Sequence, residues 1–452
     1  MAIAKSGGQK WSSKLAFLLA TIGFSVGLGN IWRFPYVTGE SGGGAFVLVY
    51  LLCVLLIGLP LVMAEMAIGR RGQGTPWESV ARVAKESGRS GKWGFVGALT
   101  MFTAFLITSY YAVIGGWTLD YTFRGLGGEF LELDGPAATA LFEGFLADSW
   151  RMLIGHSLFL ILVGWVVSKG LTGGIEKAVN ILMPLLFSLV LFLAIYSLWV
   201  GDASKGLGFL FNPDFSKISF ATVLSAVGQA FFSVGVAMAA MMMYGAYLDK
   251  DEDITSSALV VCLVDTGVAL VAGVAIFPLV FAFGLEPSGG AGLVFQTLPA
   301  IFAEMTGGWF FAPLFFLALV CAAFTSCIAI TEPWVAWFEE HGYLRRKQAI
   351  WLIIGLLWLI GVIVVFSMSG SSMFIINGMT FFEFVDYISN SIFLPIGGLL
   401  IALFAGWCVK PAHIAEELGK HTDSMIFKSW IFLVKFIIPI ILILLIIFGI
   451  SE

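Results

Sequence analysis

The first long apolar segment of this chain is interrupted by Gly23-Phe24-Ser25-Val26-Gly27-Leu28-Gly29-Asn30-Ile31-Trp32-Arg33-Phe34-Pro35. Glycines at 23, 27 and 29 loosen a helix. A polar amide and a cation follow within a turn, then a proline. In hydrocarbon, broken backbone survives only where it lines a protein-enclosed cavity. A charge at membrane depth is costly and points to function. The segment is therefore expected to be a discontinuous transmembrane helix that binds a solute or an ion.

The rest of the chain fits a membrane setting. It is 59% hydrophobic and 12% charged, with a mean hydropathy of +0.97. Soluble globular domains do not have this balance, so the chain reads as an all-α polytopic membrane protein. The net charge of −5 is divided among loops and specifies no partner. No basic face for nucleic acid, no cleavable signal peptide and no obligate protein partner is evident. Cys53, Cys262, Cys321, Cys327 and Cys408 lie in apolar stretches without a CxxC pair, as free thiols would. His413-x-x-Glu416 lies in a charged loop, where solvation is its expected fate.

A spanning helix needs about 20 mostly apolar residues. Eleven stretches qualify: 12–37, 43–69, 92–124, 151–168, 174–200, 218–248, 255–284, 309–339, 349–369, 378–408 and 427–449. Lys and Arg favour the cytoplasmic side. With the N-terminus inside, the inner loops hold Lys5, Lys10, Lys14, Arg70, Arg71, Arg82, Lys85, Arg89, Lys92 and most of the other cations. The outer side keeps only Arg33, Arg124, Arg151, Lys205 and Lys217. Eleven crossings then put Glu452 outside, in a multi-pass protein of the bacterial cytoplasmic membrane. The inner loop 70–92 has a helical look between Trp77 and Lys85, and the outer loop 125–150 is acidic without strong periodicity.

The sixth segment repeats the interruption of the first. Ala226-Val227-Gly228-Gln229-Ala230-Phe231-Phe232-Ser233-Val234-Gly235-Val236-Ala237 puts Gln, Ser and two glycines into an apolar span. Broken segments at matching positions of two five-helix halves indicate an inverted-repeat secondary transporter. The chain then forms one transporter domain over 1–452, with repeat one about 12–200, repeat two about 218–408 and an extra helix at 427–449.

These motifs resemble the neurotransmitter:sodium symporter family, in its bacterial amino-acid branch. The likeness runs over about residues 9–449. It is carried by Gly27-Leu28-Gly29-Asn30-Ile31-Trp32-Arg33-Phe34-Pro35, Gly42-Gly43-Gly44-Ala45-Phe46, Val227-Gly228-Gln229-Ala230-Phe231-Phe232 and Phe324-Thr325-Ser326. Members of this family are themselves a known example of the inverted-repeat pattern, so pattern and motif are one argument. The eleven-helix count and an apolar pocket resemble the members that carry several hydrophobic amino acids. Eukaryotic members typically have a twelfth helix. This chain stops after the eleventh, so a dimer contact built from the twelfth is not carried over.

The resemblance implies two sodium sites. The first falls on the Ser25 carbonyl, the Asn30 side chain, Ser233 and Asp265. The second falls on carbonyls of Gly23, Val26 and Ala322 and hydroxyls of Thr325 and Ser326. A lone Asn in a membrane helix is often interhelical glue, and Thr325 and Ser326 can simply bond back to helix carbonyls. The full motif favours the ion reading. Asp265 stands where many relatives carry Asn. Chloride-dependent relatives add a hydroxyl residue four positions on, where this chain has Ala269, although Tyr50, Gln229 and Ser233 match. A fixed negative charge at Asp265 is expected to replace chloride. An acid there can also load and release a proton.

Gly27 stands where monoamine carriers of the family have an aspartate. The resemblance therefore implies a substrate that brings its own carboxylate, held by the amides of Leu28 and Gly29 and by the Tyr111 hydroxyl. Its amino group would meet carbonyls at Ser25, Phe232, Ser233 and Gly235. Ile107, Phe232, Met238, Ser326 and Ile330 would enclose the side chain. None of these is charged, so an apolar L-amino acid is expected, and Met238 adapts to varied shapes. Met238, Met241, Met242 and Met243 also have ordinary packing as an explanation.

Arg33 and Asp386 match the family's outer ion pair, with Phe232 and Tyr111 as an aromatic lid. Arg33 can alternatively snorkel to the outer interface. Glu340 matches an inner gate acid, and Trp11 is expected to plug the inner vestibule. The cation for Glu340 stays open between Lys5 and Lys10. Gly174 and Pro184, spaced Gly-x9-Pro, either let the inner end of the fifth helix unwind or form a permanent kink.

The expected activity is sodium-coupled, chloride-independent import of aliphatic and aromatic L-amino acids by alternating access. The alternative is a sodium symporter for another small zwitterion, such as an osmolyte or a GABA-like solute. No metal box, nucleophile elbow or P-loop supports an enzyme, and no added signalling domain supports a sensor.

Overall fold

The computed structural model describes residues 10–131, 133–285, 292–370, 374–376 and 378–451. Its membrane-length helices are α1 (Lys14–Ser25) with α2 (Gly29–Glu40), α3 (Gly44–Gly72), α4 (Gly91–Leu126), α5 (Ser149–Val167) and α6 (Leu171–Val200). After the shorter helices α7 (Phe220–Val234) and α8 (Ala240–Ala246) come α9 (Ile254–Ala282), α10 (Gly308–Glu340), α11 (Arg346–Met368), α12 (Phe381–Cys408) and α13 (Met425–Gly449).

Among the described residues, 9 helices are each long and apolar enough to cross a membrane. The pair α1 and α2, bent by 47° at its break, makes up to 10. An eleventh crossing requires α7 and α8 to act as one interrupted span, since α7 has only 15 residues. The outer stretch 125–150, read as aperiodic, contains a helix, Gly135–Ala147. The Asp134 side chain caps it by accepting from the Ala137 N–H at 2.8 Å, a local signal that hydropathy alone does not register. The inner loop carries the expected helix as Pro76–Glu86.

Burial grades the helices. In α10, 78% of the most apolar window is buried inside the protein, against 22% in α13. Thus α10 is central and α13 peripheral. The α1 helix packs on α6, α9 and α10, and α8 packs on the inner half of α3. Two glycines let α8 and α3 approach closely. A Cβ on Gly69 would lie 1.9 Å from the Met242 carbonyl oxygen, and one on Gly245 would lie 2.6 Å from that of Met66.

Both interruptions have local causes. At the end of α1, Gly27 N–H donates to the Asn30 side chain at 3.2 Å and Leu28 N–H to the Tyr111 hydroxyl at 2.8 Å. Both amides are thereby withdrawn from the helix ladder. Between α7 and α8 the chain turns left-handed at Gly235 (φ +74°), Ala237 (φ +62°) and Ala239 (φ +65°). Alanine in that region costs roughly 1–2 kcal/mol, so surrounding structure must hold it.

Candidate functional site

The two breaks face each other, and a small cavity of about 20 Å³ lies between them. Phe24, Ser25, Gly27 and Gly29 wall it from the first break, and Phe232, Gly235 and Met238 from the second. Ile107 and Tyr111 of α4 and Ser326 and Ile330 of α10 close it. The structure thus brings together most of the residues assigned to a substrate from sequence. Leu28 and Ser233 lie beside the cavity, bonded to Tyr111 and Asp265. Phe24 was not foreseen; a Cβ on Gly235 would lie 2.4 Å from its ring. Among the described residues, no charged side chain lines the cavity. Gly27 is required by space, since a Cβ there would lie 2.6 Å from the Tyr111 hydroxyl and 2.7 Å from the Ser326 Oγ.

Beside the cavity lies a fully buried polar cluster. Asn30 Nδ2 donates to the Asp265 Oδ1 at 2.8 Å, to its backbone carbonyl at 2.9 Å and to Ser233 Oγ at 3.1 Å. Ser233 Oγ donates to Asp265 Oδ2 at 2.7 Å, and the Tyr50 hydroxyl lies 3.1 Å from the same Oγ. Gln229 Nε2 donates to the Gly29 carbonyl at 2.8 Å. Ion pairs such as Arg70–Glu417 and Arg346–Glu332 exist elsewhere, but among the described residues none reaches Asp265. A buried carboxylate without a cationic partner is expensive. Asp265 and Ser233 present hard oxygens here, while Asn30 faces them with its NH2 group and its Oδ1 accepts from the Gly27 N–H at 3.2 Å.

The second constellation joins α1 to α10. Ser326 Oγ donates to the Phe24 carbonyl at 2.9 Å and to Ala322 at 3.2 Å, while Thr325 Oγ1 donates to Cys321 at 3.0 Å and Ala322 at 3.2 Å. Such back-bonding leaves hydroxyl lone pairs free to meet a cation. A Cβ on Gly23 would lie 3.4 Å from Thr325 Cβ and 2.9 Å from Met183 Sδ. Val26 and Ala322 are both fully buried.

One acid of the site was missed. Glu65 on α3 is fully buried, and its Oε1 accepts from the Ala237 N–H at 2.7 Å. Its Oε2 has no partner among the described residues. It braces the strained left-handed turn. An acid inside the apolar run Leu61–Met66 was itself a visible signal.

Toward the outside, Arg33 donates to Gln229 Oε1 at 2.9 Å, with its guanidinium 5.1 Å from the Phe232 ring centre. Asp386 accepts from Asn390 at 2.7 Å. Arg33 and Asp386 make no direct ion pair. Both Arg33 and Asn390 border a vestibule of about 340 Å³, which shares Phe232 with the cavity beneath.

Toward the inside, Trp11 is buried edge-on against Tyr244 and Tyr247, and its indole N–H donates to the Tyr244 carbonyl at 3.3 Å. Among the described residues, Glu340 pairs with Arg82 of the loop helix. Lys10 pairs with Asp249 instead, and Lys5 lies outside the described residues. His413, expected to be solvated, lies 3.3 Å from Ser87 Oγ through its Nδ1, and burial lowers its basicity. Gly174 packs on α5, where a Cβ would lie 2.0 Å from the Val166 carbonyl oxygen, and Pro184 is inside α6.

Facing helix breaks, a small and largely apolar cavity between them and a buried acid beside it that has no cationic partner among the described residues fit a cation-coupled membrane carrier. The Sodium:neurotransmitter symporter family matches residues 8–131 and 143–452. The chain is 35% identical over 437 residues to the uncharacterized sodium-dependent transporter YhdH of Bacillus subtilis (strain 168), covering 96% of each. It is 34% identical over 444 residues to an uncharacterized sodium-dependent transporter of Haemophilus influenzae, again covering 96% of each. Among solved structures it is similar to MhsT in complex with L-phenylalanine, with a TM-score of 0.89 and 42% identity over 97% of this chain and 99% of that one. The chain belongs to the sodium:neurotransmitter symporter family: it is a sodium-dependent symporter and not an enzyme.

Proposed function

We propose that this symporter imports hydrophobic L-amino acids, aliphatic and aromatic, without chloride. The observation that carries this reading is the cavity between the breaks, which among the described residues has no charged lining side chain and is walled at Gly27 by a glycine packed tightly under Tyr111 and Ser326, with no room for an acid. An amino acid brings both charges itself. Its carboxylate would meet the amides of Leu28 and Gly29 and the Tyr111 hydroxyl, and its amino group the carbonyls near Ser25 and Phe232. That the similar protein MhsT was captured with L-phenylalanine supports this class of substrate.

Two sodium ions are assigned. One would be held by Ser25, Asn30, Ser233 and Asp265, the other by Gly23, Val26, Ala322, Thr325 and Ser326. Sodium supplies positive charge beside Asp265 and helps close the breaks. The Asp265 carboxylate already holds Ser233 and Asn30, the place a chloride would compensate. Two repeats, about 12–200 and 218–408, would rock around this point. Arg33, Phe232 and Asp386 then close the outer side and Trp11 the inner. Gly174 and Pro184 let the inner end of α6 unwind. The protein would lie in the bacterial inner membrane with its N-terminus in the cytoplasm.

Uptake of labelled phenylalanine and leucine into proteoliposomes tests this. Sodium-driven accumulation that is equal in chloride and gluconate is expected. Uptake without a sodium gradient, or a requirement for chloride, would overturn the coupling or the chloride assignment respectively.

A further inference from the structure

Three consecutive residues of the N-terminal tail bond three different places. Lys10 pairs with Asp249 in the loop after α8, and the Trp11 indole N–H donates to Tyr244 within α8. Ser12 turns the other way: its N–H donates to Glu176 Oε2 at 3.3 Å, and its hydroxyl donates to Glu176 Oε1. Glu176 is buried, at 7% exposure, and opens the regular part of α6 directly after the widened turn Leu171–Ile175 that contains Gly174. Among the described residues it forms no ion pair, so Ser12 supplies its side-chain donors. The tail therefore bridges the inner half of the second broken helix to the inner end of α6.

We propose that Glu176 is a positioning residue that latches the inner end of α6 to the docked tail, so that release of the tail licenses its unwinding. The proposal rests on the reading of Gly174 and Pro184 as an unwinding element. A carboxylate accepts and cannot donate, and a buried one that loses its donors must regain them from water. With Ser12 in place, Glu176 is satisfied inside the protein. Once the tail leaves, the first turn of α6 gains by opening to water. Gly174 adds little resistance, because it has no side chain to repack, and Pro184 donates no hydrogen bond to hold the helix. Sodium held between α1 and α10 would then become reachable from inside only after the tail lifts, which fixes the order of the two movements.

The full-length protein in lipid nanodiscs, followed by hydrogen exchange with and without sodium and phenylalanine, tests this. Ser12→Ala is expected to speed exchange of amides 171–180 about tenfold, whereas Ser12→Thr keeps the parent rate; in Glu176→Gln, which keeps an oxygen to accept from Ser12 and buries no charge, Ser12→Ala is expected to add little. Transport should show an altered maximal rate with an unchanged KM, because the substrate cavity is untouched. Pro184→Ala, which restores a helix donor, is expected to slow exchange in the same window. Unchanged exchange in Ser12→Ala, with slowing in Pro184→Ala, would overturn the latch and leave the unwinding element standing. Equal protection of 171–180 in the parent and every variant, with or without ligands, would overturn both. Ser12 is exposed, so its variants fold even where Glu176→Gln does not.

Discussion

Asn30 and Asp265 are bonded twice: one amide group of Asn30 donates to the carboxylate of Asp265 at 2.8 Å and to its backbone carbonyl at 2.9 Å. This holds the first helix break against α9 and leaves the acid without a cation of its own. Asp265→Asn removes the charge and keeps the shape. Sodium affinity is expected to fall at least tenfold, about 1.4 kcal/mol, with chloride now raising uptake. Sodium titration of phenylalanine uptake, in chloride and in gluconate, reads both effects.

Gly27 sets the floor of the cavity by having no side chain. A methyl group there would meet the Tyr111 hydroxyl at 2.6 Å and Ser326 Oγ at 2.7 Å. Gly27→Ala must displace Tyr111 from the Leu28 amide, Ser326 from the Phe24 carbonyl, or both. Binding of labelled phenylalanine is expected to weaken more than tenfold while the detergent-solubilised protein stays monodisperse. Binding at the parent affinity would show that the substrate lies elsewhere.

Much of this site could be read from sequence because membrane burial makes polar residues conspicuous. Asn30, Arg33, Gln229 and Asp265 stand out in apolar runs, and the structure gathers them at the two breaks. What stayed hidden depends on tertiary approach. Arg82 sits on a loop helix rich in charges, and nothing local marks it as the partner of Glu340. Ser12 and Glu176 are 164 residues apart, so their pairing exists only after folding. The left-handed turns at Ala237 and Ala239 run against the residues' own preferences and leave no trace in composition. The crossing count depends on tertiary structure in the same way: hydropathy over 218–248 runs through the break that divides α7 from α8.

Those two alanines flank Met238 in the cavity wall, and both are fully buried with positive φ. Ala237→Gly and Ala239→Gly should each relieve roughly 1 kcal/mol of backbone strain while loosening the unfolded chain, effects that oppose each other. Net stability is thus expected to move little. Freedom of the segment should rise, and the ratio of tryptophan to leucine uptake should change at least threefold as Met238 resettles. Competition uptake measures it. An unaltered ratio would mean that Glu65, through its bond to the Ala237 amide, holds the segment regardless of strain.

Arg82 and Lys10 both belong to ion pairs on the inner side, but their surroundings predict opposite consequences. The Glu340 side chain is 1% exposed; it accepts from Arg82 and from the Thr75 N–H at 3.0 Å. Arg82 also donates to the Gly72 and Gln73 carbonyls at 3.0 Å each. Removing one partner of a fully buried pair costs about 3–5 kcal/mol. Arg82 is 33% exposed, so Arg82→Ala is expected to cost about 2 kcal/mol, with Thr75 still serving the acid. The Lys10–Asp249 pair is 59% and 48% exposed, where such contacts contribute about 0–1 kcal/mol. Thermal unfolding in detergent should therefore fall by several degrees in Arg82→Ala and stay near the parent in Lys10→Ala. Arg82→Ala combined with Glu340→Gln should recover part of the loss, since no buried charge is then left unpaired. Equal effects of Arg82→Ala and Lys10→Ala would return the inner-gate cation to the N-terminal tail.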